Sequence, residues 1–251
     1  MNSSSFKALA QHLAKEILQT QRPLFAISGA QGSGKSTLAA MLADELRWHG
    51  VSAAVVSLDD FYLGKDARAL LAQTVDGRLR QRGVPGTHSI SAALALTKAH
   101  LQRRAIALPR FDKALDDPTA TEPLQRYDCL IIEGWCLGVK PIELTGSHTR
   151  HQRYVEAALA AYQPWFQLLR PLLYLQAPNW QTVCQWRLQQ EQALHAKRGF
   201  GMNDTELAAF MQAFRPLTER AWQQLPAIAT WCVALDAQHG VLAAQGKQIV
   251  G

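Results

Sequence analysis

The chain has 251 residues, 48% of them apolar, and a formal net charge of +6. This is enough apolar material for a sizeable core; with no internal repeat, low-complexity tract or linker rich in Pro, Gly and Ser, the expectation is one domain, residues 1–251. The cations are dispersed in short groups (Arg78/Arg80/Arg82, Arg103/Arg104, Arg110/Lys113, Lys197/Arg198), which suits a phosphorylated or carboxylated small molecule better than nucleic acid, and no apolar run approaches the length of a membrane span.

Residues 4–20 read as a helix, with Phe6, Leu9, Leu13 and Ile17 at helical spacing and Ser4 or Ser5 as cap. No signal-peptide core precedes it, so the expected location is cytoplasmic. The apolar run Pro23 to Ser28 reads as a buried strand and Leu38 to Ala43 as the body of a helix running to about residue 48. Between them stands G-A-Q-G-S-G-K-S-T, Gly29 to Thr37. Gly29, Gly32 and Gly34 let the backbone come close to an anion, with Ala30, Gln31, Ser33 and Thr37 completing the loop whose N–H groups face phosphate. Lys35 supplies a point charge for the β- and γ-phosphates, and the Ser36 hydroxyl suits magnesium. A nucleotide site follows.

Gly50 ends the helix, and Val51 to Leu58 reads as a second strand, giving a βαβ unit with a parallel sheet and a ligand at the carboxyl ends of its strands. That places Asp59 and Asp60, in S-L-D-D-F-Y-L, beside the phosphate loop, where an acid can accept a substrate hydroxyl proton or help hold magnesium. A turn or cap aspartate is the alternative. Residues 64–90 read as a polar loop in which Arg82, Thr87 and His88 of R-Q-R-G-V-P-G-T-H offer donors for an anionic or hydroxylated acceptor, against the alternative of a solvated turn. A helix over 91–103 and a short strand at Ile106 to Leu108 come next. Arg110 and Lys113 of P-R-F-D-K add two cations near an aspartate, either for the acceptor or as a surface ion pair.

Cys129 to Trp135 is a strand of three aliphatics ending in Glu133, a carboxylate that can hold magnesium directly or through water. Leu172 to Gln176 and Val233 to Leu235 are the remaining strands, with helices at about 178–196 and 204–224 between them. The connection A-K-R-G-F-G-M-N-D reads either as an ordinary basic helix end with a glycine stop or as a lid, about residues 187–203, bringing Arg187, Lys197 and Arg198 to the transferring phosphoryl group. The four cysteines lack C-x-x-C spacing and read as buried hydrophobes, and His49, His100, His148 and His151 lack metal-ligand spacing.

In this order, G-A-Q-G-S-G-K-S-T, S-L-D-D-F-Y-L, R-G-V-P-G-T-H, P-R-F-D-K and I-I-E-G-W-C-L-G resemble the P-loop kinases that include uridine kinase, phosphoribulokinase and bacterial pantothenate kinase, and most of all plant-type D-glycerate 3-kinase and its relatives. The resemblance covers roughly residues 24–223. It implies a three-layer α/β P-loop NTPase fold, with a mainly parallel sheet flanked by helices, that uses ATP and Mg2+ to phosphorylate a hydroxyl of a small molecule, D-glycerate first among the candidates. It further implies Asp59 as the catalytic carboxylate and Glu133 as the carboxylate after the third core strand, with Tyr62, Arg82, Thr87, His88, Arg110 and Lys113 in the stretches that hold the acceptor. The chain departs from that branch at Ser89, where an acid follows the T-H pair, and at Leu115 to Pro118, where a G-D-R-like segment is expected. A kinase for a nucleoside, pantothenate or a sugar phosphate, and a nucleotide-binding regulatory module without transfer activity, stay open. The oligomeric state is not legible.

Overall fold

The computed structural model describes residues 3–198 and 202–246. Helix α1 (Ser3–Thr20) precedes strand β1 (Leu24–Gly29), helix α2 (Lys35–Trp48) and strand β2 (Ala53–Ser57). A 3-10 turn (Leu58–Phe61), α3 (Lys65–Thr74), a second 3-10 turn (Gly77–Arg80) and α4 (Ile90–Leu101) follow. The two-residue strands β3 (Phe111–Asp112) and β4 (Asp117–Pro118) form a small hairpin ahead of β5 (Cys129–Gly134) and α5 (Arg150–Phe166). The chain then runs through β6 (Leu172–Gln176), α6 (Trp180–Arg198), α7 (Asp204–Gln212), α8 (Arg215–Ile228), β7 (Trp231–Leu235) and β8 (Val241–Gly246).

The main sheet has the order β2-β5-β1-β6-β7-β8, parallel throughout except for the antiparallel β8 at one edge. All six residues of β1 and all six of β5 are buried, so helices cover both faces, as the continuous apolar runs of a parallel sheet require. Among the packed helices, α1 lies on α2, and Trp165 of α5 donates from Nε1 to Thr97 of α4 at 2.9 Å. The register sets Ser57 opposite Glu133 and Ser28 opposite Gly134, which brings the carboxyl ends of β1, β2 and β5 together.

Several elements differ from the sequence expectation. Residues 64–90 are not a plain loop: α3 forms from Lys65 to Thr74, a segment whose polar residues masked a short helix. Ile106 to Leu108 joins no sheet; Ile106 and Gln125 exchange backbone hydrogen bonds of 2.9 and 3.0 Å as an isolated bridge. The helix expected over 204–224 is two, breaking at Ala213–Phe214 before Pro216, which stands in the first turn of α8. Helix α5, capped by a Thr149/Gln152 capping box, and strand β8 were not anticipated. All four cysteines are free.

Candidate active site

The carboxyl ends of β1, β2 and β5 open into a cleft of about 470 Å3, a size suited to small-molecule ligands. Its floor is the phosphate loop. Gly32 (φ 76°) and Gly34 (φ 87°) take left-handed backbone, and each is hemmed in: a Cβ on Gly32 would stand 2.5 Å from Cβ of Trp186, and one on Gly34 would stand 2.6 Å from the Phe6 ring. Only glycine meets both demands. Gln31, Gly32, Gly34, Lys35, Ser36 and Thr37 line the cleft directly, while Gly29, Ala30 and Ser33 form the buried turn beneath. The Ser36 hydroxyl donates to Glu133 Oε1 at 2.8 Å, and Lys35 Nζ lies 3.3 Å from the Ala30 carbonyl.

The two aspartates after β2 separate in role. Ser57 and Asp60 form a capping box across the 3-10 turn, in which Asp60 accepts from the Ser57 amide at 2.9 Å and also pairs with Arg110 at 3.2 Å. Burial raises the Asp60 pKa above the usual value, against the pull of those partners. Asp59 receives Lys113 Nζ at 2.7 Å. Burial acts to raise its pKa too, but Lys113, with Lys35 behind it, outweighs that and leaves the carboxyl below its ordinary value. Asp59 is therefore ionised near neutrality. Both aspartates line the cleft, but only Asp59 faces it without serving the turn through its own side chain.

Tyr62 lines the cleft next to Asp59; burial first, then the Asp59 charge, push its phenol pKa well up, so it stays a neutral donor. Arg82 also lines the cleft, paired with Asp116 and lying 5.6 Å over the Phe111 ring. Three residues expected to touch the acceptor do not line it. Thr87 is fully buried, its hydroxyl donating to the Val84 carbonyl at 2.8 Å and accepting from the Gly83 amide at 3.1 Å, so it builds the turn itself. His88 is buried, stacked on Tyr62 at 4.4 Å, with Nδ1 2.9 Å from the Tyr162 hydroxyl. Burial lowers its pKa to about 4, so it carries no charge to attract an anion. Arg110 is taken up by Asp60 and Glu122 behind the wall.

Arg187 of α6 does reach the cleft, held by Glu191 at 2.6 Å and lying 5.9 Å over the Phe210 ring. Glu191 in turn accepts from the Met202 amide at 2.8 Å. The rest of the lid expectation is out of view: residues 199–201 and the side chains of Lys197 and Arg198 lie outside the described residues.

Sequence reasoning missed Phe111, Trp135, Gln190, Phe210 and Phe214, which supply apolar and amide surface to the cleft. It also missed Arg68. This arginine of α3 is 1% exposed and donates to the carbonyls of Leu63 (2.9 Å), Arg80 (2.8 Å) and Asp116 (2.9 Å) while pairing with the Asp116 carboxylate at 2.7 Å. One guanidinium thus ties together the segments that present Tyr62, Arg82 and Lys113. A lone Arg in a polar stretch gives no sign of this in sequence.

No protein-family model matches the chain. Among curated proteins it is 31% identical over 242 residues to "Uncharacterized kinase mug58" of Schizosaccharomyces pombe, covering 85% of this chain and 87% of that protein. It is 28% identical over 206 residues to the chloroplastic D-glycerate 3-kinase of Arabidopsis thaliana, covering 75% of this chain and 45% of that one. Among solved structures, D-glycerate 3-kinase from Cryptococcus neoformans shares the fold, with a TM-score of 0.80 at 21% identity over 95% of this chain and 99% of the other. With the phosphate loop, the acid after β2 and the acid ending β5 in one cleft, and with a kinase relative matched along most of both chains, the chain belongs to the P-loop kinases.

Proposed function

We propose that the protein transfers the γ-phosphoryl group of ATP to a hydroxyl of a small carboxylated molecule, D-glycerate being the acceptor that fits best. The observation that carries this is the Asp59–Lys113 pair in the same cleft as Lys35, Ser36 and Glu133: a base and a cation for an acceptor beside a phosphate cradle. In this reading the loop amides and Lys35 hold the β- and γ-phosphates. Asp59 orients the acceptor hydroxyl, whose oxygen attacks the γ-phosphorus as the bond to the β–γ bridging oxygen breaks; the hydroxyl proton passes to Asp59 and ADP leaves. Arg187, with Arg198 a further candidate, screens charge on the transferring group. Tyr62, Arg82 and Lys113 supply donors to the acceptor and its carboxylate.

The residues present fit a magnesium ion. Ser36 and Glu133 set two hard oxygen donors side by side, and no cluster of three or more His, Cys, Asp or Glu among the described residues completes a cage. That suits an ion which takes one or two protein oxygens, with phosphate and water supplying the others. When bound it neutralises charge on the β- and γ-phosphate oxygens.

D-glycerate is favoured by the plant relative and by Lys113 and Arg82 in the cleft. Arg82, however, is already paired with Asp116, in the segment that departs from the branch pattern, so other acceptors belong in the assay. Phosphoryl transfer from MgATP is to be measured with D-glycerate, L-glycerate, uridine, pantothenate and ribulose 5-phosphate, against a no-acceptor control. Turnover confined to D-glycerate is expected, with Asp59→Asn lowering kcat by about 10²–10⁴-fold at unchanged ATP affinity. Preference for another panel member would refute glycerate, and full activity of Asp59→Asn would remove Asp59 from the chemistry.

A further inference from the structure

The phosphate loop is gripped from both ends of the chain. Phe6 of α1, fully buried, packs under Gly34, where any side chain on the glycine would collide with its ring at 2.6 Å. The second grip comes from the turn between β7 and β8. There His239, 7% exposed and in left-handed backbone (φ 65°), puts Nε2 2.7 Å from the Gly32 carbonyl. A carbonyl only accepts, so Nε2 carries the proton and donates. The ring is stacked on Trp186 at 4.3 Å and 23°, and Trp186 Nε1 donates back to the Ala237 carbonyl at 2.8 Å. The nearby Asp236 carboxylate serves the turn, its Oδ1 accepting from the amides of Gln238 (2.8 Å) and Gly240 (2.6 Å).

The hydrogen bond has a specific consequence for the loop. The Gly32–Ser33 peptide has one acceptor and one donor; the carbonyl receives His239 and the Ser33 N–H donates to the Ala30 carbonyl at 3.2 Å. Both polar ends are used, so this peptide plane is fixed and cannot turn toward a phosphate. The direction of the amides that follow, at Gly34, Lys35 and Ser36, is set from it. Glycine offers no side-chain resistance to rotation about Gly32, so without the histidine the plane would be held from one end alone.

We infer that His239 is a positioning residue of the nucleotide site: it locks the Gly32–Ser33 peptide and so pre-orients the phosphate-binding amides, although it does not line the cleft. Its contact is 207 residues distant along the chain from the loop it serves. Trp186, the residue before Arg187, shares the same stack, so the hairpin also steadies the part of α6 that reaches the cleft. Preorganised donors bind an anion more tightly because less ordering is left for the binding step.

The test is calorimetric titration of the full chain with ADP and Mg2+, which needs no acceptor and stands whatever the acceptor proves to be. His239→Phe keeps a ring for the Trp186 stack but has no donor; it should bind ADP about tenfold more weakly. His239→Gln, which restores an N–H, should come within about threefold of the wild type. In turnover assays with whichever acceptor is used, the defect should appear in KM for ATP and not in kcat, a split that general destabilisation does not produce. ADP affinity of His239→Phe within twofold of wild type, or equal weakness of the Phe and Gln variants, would overturn the assignment. If His239→Phe does not fold, His239→Met, of similar reach and equally without a donor, takes its place.

Discussion

Arg68→Met is the substitution that most directly tests how the acceptor side of the cleft is built. The side chain is 1% exposed and makes three hydrogen bonds to backbone carbonyls and an ion pair to Asp116. Methionine fills much of the volume and leaves every one of those acceptors without its donor. Breaking a buried ion pair by removing one partner costs about 3–5 kcal/mol, and hydrogen bonds from a charged donor are worth about 1.5–3 kcal/mol each. These figures overlap, and Asp116 is 39% exposed and keeps Arg82, which reduces the loss on its side. A net cost of about 4 kcal/mol is expected. With a urea m-value of about 3 kcal/mol/M for a chain of this size, the unfolding midpoint should fall by about 1.3 M, read by circular dichroism. Because the bonds tie Leu63, Arg80 and Asp116 together, the acceptor KM should rise about tenfold while the ATP KM holds. A midpoint shift under about 0.3 M, or an unchanged acceptor KM in folded protein, would refute the reasoning.

Two further predictions concern charge. Lys113→Met removes the cation that outweighs burial at Asp59, so the Asp59 pKa should climb and the acid limb of the kcat/KM profile should move to higher pH, together with a raised acceptor KM; an acid limb that stays in place would separate Asp59 from the pH dependence. For His88, the folded pKa of about 4 lies below the ordinary value of about 6.5, so the unfolded chain binds the proton more readily and stability is lost as pH falls from about 6.5 toward 4. This group alone should contribute a loss of about 2 kcal/mol between pH 7.5 and pH 5, and His88→Phe should remove that part of the slope; equal pH slopes in urea unfolding of the two proteins would contradict the buried, neutral histidine.

What the sequence made legible were the features with a local signature. The phosphate loop announces itself because glycines, Lys35 and Ser36 must stand at fixed offsets between a strand and a helix, and β1, β5 and β6 because strands covered on both faces read as largely apolar runs. Strand β8 escaped because it is an exposed edge: five of its six residues face solvent, and its apolar run, Val241 to Ala244, is short and does not alternate. Helix α3 escaped for a related reason. Only Arg68 among its residues is buried, with Leu71 half-buried against the core, so its main anchor is polar and long-range and its hydrophobic period is weak.

The site shows the same divide at the scale of single groups. In R-G-V-P-G-T-H, Thr87 and His88 carry the right chemistry for an anion, yet a turn tight enough to place Gly83 and Gly86 against Phe214 and Tyr154 folds those two side chains inward, where they satisfy the turn and Tyr162. Asp59 and Asp60 are adjacent and chemically alike. A 3-10 turn needs an acid at its third position to meet the Ser57 amide, and that demand takes Asp60 and frees Asp59 for Lys113. Residue type therefore nominates a functional group, but which of two neighbours keeps its chemistry available is decided by which one the backbone has already enlisted.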